Sequence, residues 1–266
     1  MAIENFKPTI WRARLLSNLQ KAHILAGVAN REYEGDISAF GDTVKIGSIG
    51  RISVSDYDGT AISYEDLEDA SIKLQIDQQK YFGFKVDDAD AAQSNANQMD
   101  EAMNEASYSL SDASDQYLAG FYSDAGITVT EGALNSAAVY ETITGTVKEL
   151  QLNDVPPDLP KWMVVEPWVY QKMLLAEIDT ITDNISTLGA GAVTSTMGFD
   201  VFVSNNLTNS MAGTYRSLAF AEQILDTEAL RLEDYFADAV RGLYVYGAKV
   251  IRPDELVNLA LTTASE

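Results

Sequence analysis

From Ile72 to Val86 the chain alternates. Ile72, Leu74, Ile76, Phe82, Phe84 and Val86 hold even positions, Lys73, Gln75, Asp77, Gln79 and Lys85 odd ones, and Gln78 and Lys80 interrupt the apolar side. Period-two alternation sets one face of a strand against a core and leaves the other in water. Fifteen residues at about 3.3 Å each would span roughly 50 Å, well beyond the usual strand of about 5–6 residues. Upstream, Val44, Ile46, Ile52 and Val54 repeat the pattern around Gly47 and Gly50, and the acidic, turn-forming piece SDYDGTAISYEDLEDA separates the two runs. The pattern predicts one long two-stranded ribbon. An isolated ribbon is only marginally stable in water, so this one is expected to be covered by something else, another copy of the chain first of all.

The period then changes. Ala92, Ala96, Met99, Met103, Ala106, Leu110, Ala113, Tyr117 and Phe121 follow one another at steps of four and three, which predicts a helix from about Asp88 to Tyr122, roughly 50 Å long at about 1.5 Å per residue. Asp87 and Asp88 are its candidate caps. Four of the nine stripe residues are alanine. Such a stripe fits close packing on a sheet at least as well as a zipper seam, which prefers Leu and Ile, so a packed helix is expected and a coiled coil is the alternative.

Beyond it the pattern is that of an α+β unit. Val139, Ile143, Val147 and Leu150 predict a helix over Ser136–Leu150. VPPDLP ends it and leads into a short buried strand, Trp162–Val165, and Pro167 suits the first turn of a helix reaching about Ile178. Residues 179–198 read as a loop, since Gly, Ser and Thr replace any apolar period. Short strands are expected at Phe199–Val203 and Tyr215–Phe220. Ala229–Ala260 reads as mainly β, bent at Gly242, Gly247 and Pro253.

Composition narrows the chemistry. The 266 residues hold no cysteine and one histidine, His23, which removes disulfides, thiolate metal sites, cysteine nucleophiles and any site needing two imidazoles in one chain. Gly189-Ala-Gly191 lacks the third glycine of a dinucleotide fingerprint. Asp56-Tyr-Asp58-Gly59 lacks a full set of calcium-loop ligands and reads as a turn, and Asp87, Asp88 and Asp90 read as a helix start. His23 sits among apolar neighbours and reads as a structural histidine. No cofactor and no metal is expected. A carboxylate-dependent hydrolase needs only two acids and survives on composition, but among 40 acids no pair stands out.

Charge changes the picture more. The formal net charge is −22. Residues 1–31 carry Lys7, Arg12, Arg14, Lys21 and Arg31 against Glu4 alone, net +4, which leaves −26 on the remaining 235. Between Val86 and Val147 there is no Lys or Arg, against eleven acids. A basic arm on an acidic body is one reading; a solubilising surface with an amphipathic first helix is the other. No run is long and apolar enough for a membrane span or a signal peptide, so a chain that is made in the cytoplasm and does not enter a membrane is expected.

In local wording and in the order of its parts, the chain resembles the major capsid proteins of tailed bacteriophages with the Hong Kong 97-type fold. The similar stretches are NFKPTIWRARLLSNLQKA, REYEGDISAFGDTVKIGSIGRISVSDYDG, LQIDQQKYFGFKVDDADAAQ and ADAVRGLYVYGAKVIRPDEL. The likeness covers essentially the whole chain and rests on the sequence of parts rather than on one motif. It implies an α+β capsid fold divided into an N-terminal arm at 1–32, an extended hairpin loop at 33–84, a peripheral domain with its spine helix at 85–123, an axial domain at 124–234 and a return to the peripheral domain at 235–266.

The resemblance implies a non-enzymatic protein whose copies, as hexamers and pentamers, close an icosahedral-type shell around double-stranded DNA held by non-specific contact, with portal and scaffold proteins as further partners. The chain starts directly at the arm, which implies a separate scaffold protein or none. Subunit-interface candidates are Val44, Ile46, Ile52, Val54, Ile72, Leu74 and Ile76. The interior-facing basic candidates are Lys7, Arg12, Arg14 and Lys21. The virion capsid is the expected location, reached from the host cytoplasm. Two alternatives remain open from the sequence: a bacterial nanocompartment shell that encloses enzymes, and the carboxylate-dependent soluble hydrolase.

Overall fold

The computed structural model describes residues 23–33, 40–49, 69–87, 98–176, 194–231 and 237–263. Among these, the first element is a one-turn helix α1 (Leu25–Val28). Strands β1 (Thr43–Ile49) and β2 (Asp69–Gln75) pair antiparallel, with Thr43 opposite Gln75 and Ile49 opposite Asp69. This is the base of the expected ribbon; the tip, with Ile52, Val54 and Asp56–Gly59, lies outside the described residues.

The fifteen-residue alternation is not one strand. It breaks after Ile76, and β3 (Gln78–Asp87) enters a different sheet, ordered β3-β10-β9, with β9 spanning Leu218–Arg231 and β10 spanning Ala237–Val250. The break has a tertiary cause. Gly41, in the left-handed region at φ +88, donates its amide to the Ile76 carbonyl (3.0 Å), and the Ile76 amide donates to the Asp42 carbonyl (3.0 Å). At the same point β10 crosses so closely that a Cβ on Gly247 would collide with the Gln75 carbonyl oxygen and lie 3.0 Å from the Ile76 Cα. Gly247 therefore marks a close backbone approach inside β10, not the bend expected there. Gly242 likewise stays within the strand, where a Cβ would run into the Phe82 ring. Pro253 interrupts, in a 3-10 turn at Pro253–Glu255, and the β10–β9 register shifts between Leu243 and Tyr244, just past Gly242.

Helix α2 (Gln98–Ala119) runs into a 3-10 turn at Gly120–Asp124. Ala92 and Ala96, and the expected helix start at Asp88, lie outside the described residues. The helix packs on α1 and on the β3-β10 side of the three-stranded sheet, with Tyr117 edge-on to Tyr246 at 5.4 Å. Within the chain this is the packed helix, not the coiled coil. Of the stripe, Met103 and Leu110 are buried, but so are Leu118 beside it and the polar Ser107, Ser111, Ser114 and Asp115. That polar face escapes an apolar count.

The remaining elements build a six-stranded sheet ordered β4-β11-β8-β5-β7-β6. Its strands are β4 (Ile127–Leu134), β5 (Lys161–Val165), β6 (Thr194–Thr196), β7 (Phe199–Val203), β8 (Ser210–Thr214) and β11 (Leu256–Thr263). Helices α3 (Ser136–Leu152) and α4 (Pro167–Leu175) lie close to the expected spans. Every residue of β5 is buried. Met163 and Val165 join Val139, Ile143, Val169 and Met173 under α3 and α4, while Trp162 and Val164 join the core beneath α2. A strand covered on both faces reads as a continuous apolar run rather than an alternation. The strand expected at Tyr215–Phe220 straddles a turn: β8 ends at Thr214 and β9 starts at Leu218. Strands β4 and β8 and the middle of β9, 221–228, had not been expected, and β6 falls within the expected loop. Residues 177–193, most of the expected loop and Gly189–Gly191 with it, lie outside the described residues.

Candidate assembly surface and arm anchor

The base of the ribbon and residues 23–31 both pack on β9. Odd residues Ala219 and Ala221 face one side of that strand, and with Val245 of β10 they form a fully buried floor for Val44, Ile46, Leu74 and Ile76. Ile72, Tyr33, Leu225 and Ile251 close its margins. Four of the expected subunit-interface residues are thus covered within the chain, because the base of the ribbon lies on its own sheet. The side turned away from the sheet is polar: Thr43, Lys45, Lys73 and Gln75 are exposed. Lys45 and Lys73 are directly opposed across the strand pair, an arrangement that costs stability within the ribbon.

Farther along the same sheet, beyond the ribbon root, the outer face carries exposed side chains among the described residues. Tyr81 of β3, 82% exposed, stands beside Gly83, Leu243 and the Arg241–Glu228 ion pair, where the guanidinium donates to one carboxylate oxygen at 2.6 and 2.9 Å. Together they line a shallow groove of about 490 Å³.

Even residues of β9 face the opposite side. Leu218, Phe220 and Ile224 enter the main core, and Glu222, at the same phase, is a fully buried carboxylate. It accepts hydrogen bonds from His23 Nε2 (2.9 Å), from the Arg31 guanidinium and from the Tyr244 hydroxyl. The other imidazole nitrogen, Nδ1, lies 3.3 Å from Ser114 Oγ and 3.6 Å from Asp115 Oδ1. The Asp115 carboxylate accepts the amides of Ile24 (2.8 Å) and Ala26 (3.1 Å). These amides open α1, whose own N-terminal residue provides no side-chain cap, so a carboxylate on another helix satisfies them. Residue 30 adds a parallel bridge to β9: its amide donates to Leu218 O (2.8 Å), and its carbonyl accepts from the Phe220 amide (2.9 Å).

The cluster's electrostatics follow from its composition. Burial is the largest influence on His23 and alone would lower its pKa, but the hydrogen bonds to Asp115 and Glu222 and their charges outweigh it and raise it to about 9. Burial also acts most strongly on Glu222, opposing its ionisation, yet His23, Arg31 and the Tyr244 hydroxyl hold it below the usual carboxylate range. Burial, then the Glu222 charge, push the Tyr244 phenol well above its ordinary value. Two carboxylates and two bases make a group without net charge, the condition under which buried ions are tolerable.

His23 is structural, as its apolar neighbours suggested. Asp115, Glu222 and Arg31 had not been singled out, although two signals were present: an acid on the apolar phase of 218–224, and serines at 107, 111 and 114 beside the helix stripe. Lys7, Arg12, Arg14 and Lys21 lie outside the described residues, as do Ile52 and Val54.

Comparison with known proteins agrees with this architecture. The family model for the phage capsid protein matches residues 71–259. A solved structure from Mycobacterium phage Che8 is 29% identical over 89% of this chain and 90% of its own, with a TM-score of 0.72. The asymmetric unit of the bacteriophage PhiM1 mature capsid is 12% identical, covers 91% and 88%, and has a TM-score of 0.67. A virus-like particle from Pyrococcus furiosus shares the fold at 13% identity, with 97% and 100% covered and a TM-score of 0.57. No curated protein sequence matches.

Proposed function

This chain belongs to the phage capsid protein family and is a major capsid protein whose copies form the virion shell, and we propose that the shell is icosahedral in type and encloses the double-stranded DNA of a tailed phage. The family match favours neither the nanocompartment nor the hydrolase. The division of charge supports DNA as the cargo: net +4 in residues 1–31 against −26 in the rest. Phosphates attract a basic arm without sequence preference, while an acidic wall lets packaged DNA slide rather than adhere. The acidic side is visible on α2, where Glu101 and Glu105 are exposed in a span free of Lys and Arg.

Assembly in this reading proceeds through hexamers and pentamers in the host cytoplasm, with portal and scaffold proteins as partners. The division into arm (1–32), extended loop (33–84), peripheral (85–123), axial (124–234) and returning (235–266) parts supplies the working map, with β3 lying in the β3-β10-β9 sheet. The ribbon reaches a neighbouring copy with its polar face, Lys45 and Lys73 foremost, and with the tip residues Ile52 and Val54. Repetition around every ring makes many weak contacts a stable lattice.

The test is electron microscopy of the full chain expressed with its neighbouring gene products, together with assay of nuclease-protected DNA. Closed particles that protect DNA are expected; particles filled with protein instead would overturn the cargo. Exchanging Lys7, Arg12 and Arg14 for Glu is expected to lower genome retention at least tenfold, and unchanged infectious yield counts against the arm's role.

A further inference from the structure

Hydrogen-bond geometry suits a doubly protonated His23. Glu222 is a carboxylate that can only accept, so the imidazole Nε2 at 2.9 Å must carry a proton. Ser114 Oγ lies 2.9 Å from the Ser111 carbonyl, to which it can donate, and with its proton there Nδ1 is the donor in the 3.3 Å contact, with Asp115 on the same side at 3.6 Å. With a carboxylate on each side of the ring, both nitrogens hold a proton in this arrangement. The groups facing the ring are Arg31 from its own segment, Ser114 and Asp115 from α2, Phe220 and Glu222 from β9, and Tyr244 from β10.

We propose that His23 is a positioning residue: as a buried imidazolium it joins Arg31 in closing a clasp on Glu222 and Asp115, and this clasp fixes the position and heading of the chain at residue 23, where the basic segment 1–22 joins it, a condition for shell assembly. Three attachments converge on eight residues: the imidazole on β9 and α2, the α1 amides on Asp115, and the residue 30 bridge on β9. A basic arm that swung freely would meet its own acidic body as readily as another partner. A rooted arm is presented to one side. The assembly part of the proposal rests on the capsid reading; the clasp itself does not.

The sign of the pH dependence follows from the raised pKa. With the clasp open, His23 has its ordinary value of 6.5, and with it closed about 9. The clasp's contribution is therefore complete below pH 6.5 and is lost as pH rises through 9. Hydrogen exchange on the full-length protein, corrected for intrinsic rates, reads this directly. Protection of the Ile24 and Ala26 amides should fall roughly tenfold per pH unit between 6.5 and 9, then level off. A flat profile overturns the imidazolium.

Substitution supplies the second arm of the test. His23→Gln should abolish that pH slope and reduce closed shells severalfold, with the circular-dichroism spectrum and cooperative unfolding retained. The His23→Gln/Glu222→Gln pair removes one charge of each sign and should recover shells. Normal assembly by His23→Gln, or no recovery in the pair, overturns the role in assembly. Should the wild-type chain itself form no shells, the capsid reading fails while the exchange profile still decides the clasp.

Discussion

At β9, Ala219 and Ala221 face the ribbon root while Phe220 and Glu222 face the arm root. The two extensions of the chain are thus fastened to opposite faces of one strand by different physics. The ribbon is held by apolar area that Val44, Ile46, Leu74 and Ile76 remove from water, a non-directional attraction that tolerates small displacements. The arm is held by four charges and a chain of donors, where each partner is specified by angle and protonation state. Apolar rooting leaves the ribbon's outer face to be chosen freely, and it is lysine-bearing. Charged rooting dictates direction. In the proposed assembly, the first suits a ribbon that adapts to a neighbour, the second an arm that starts from a fixed place.

Glu222→Ala breaks the comparison most strongly. It leaves His23 and Arg31 buried around Asp115 alone, a loss of about 3–5 kcal/mol, measured as a lower urea midpoint. Leu74→Ala strikes the other face. The side chain is fully buried, so its removal should cost about 2–4 kcal/mol, and this cost should be the same at pH 6.5 and pH 9, whereas the cost of Glu222→Ala should shrink at the higher pH as His23 loses its proton. Equal pH dependence in the two variants would erase the distinction. Lys73→Glu is the smallest and most selective change. Opposite Lys45 it replaces repulsion with attraction and should raise subunit stability by about 0.2–1 kcal/mol, while shell yield falls. Undiminished shells from that variant would free the ribbon's polar face from any part in assembly.

Much of the architecture was legible. The phase of Val44, Ile46, Ile72, Leu74 and Ile76 identified one face of a strand pair, and the spacing of Val139, Ile143 and Leu150 located α3 within two residues at its C-terminal end. The resemblance to phage coat proteins fits the fold and the family. The strand break after Ile76 was illegible, because it depends on Gly41, Asp42 and Gly247, the last of them 171 residues away. The clasp was illegible for the same reason, since His23 and Glu222 are separated by 199 positions. A lone histidine among apolar residues has one sequence signature whether it is neutral or charged.

Period and charge are local properties of a chain. Alternation follows from the pleat, helical spacing from 3.6 residues per turn, and net charge from counting, so the sequence alone determined which faces are apolar, where the acid lies and that the arm is basic. Where a strand stops, which of two sheets receives it and whether an imidazole keeps its second proton depend on groups brought together from distant parts of the chain. Only the tertiary structure decided those, because close backbone approach and desolvated charge act over a few ångströms of space and are blind to separation along the sequence.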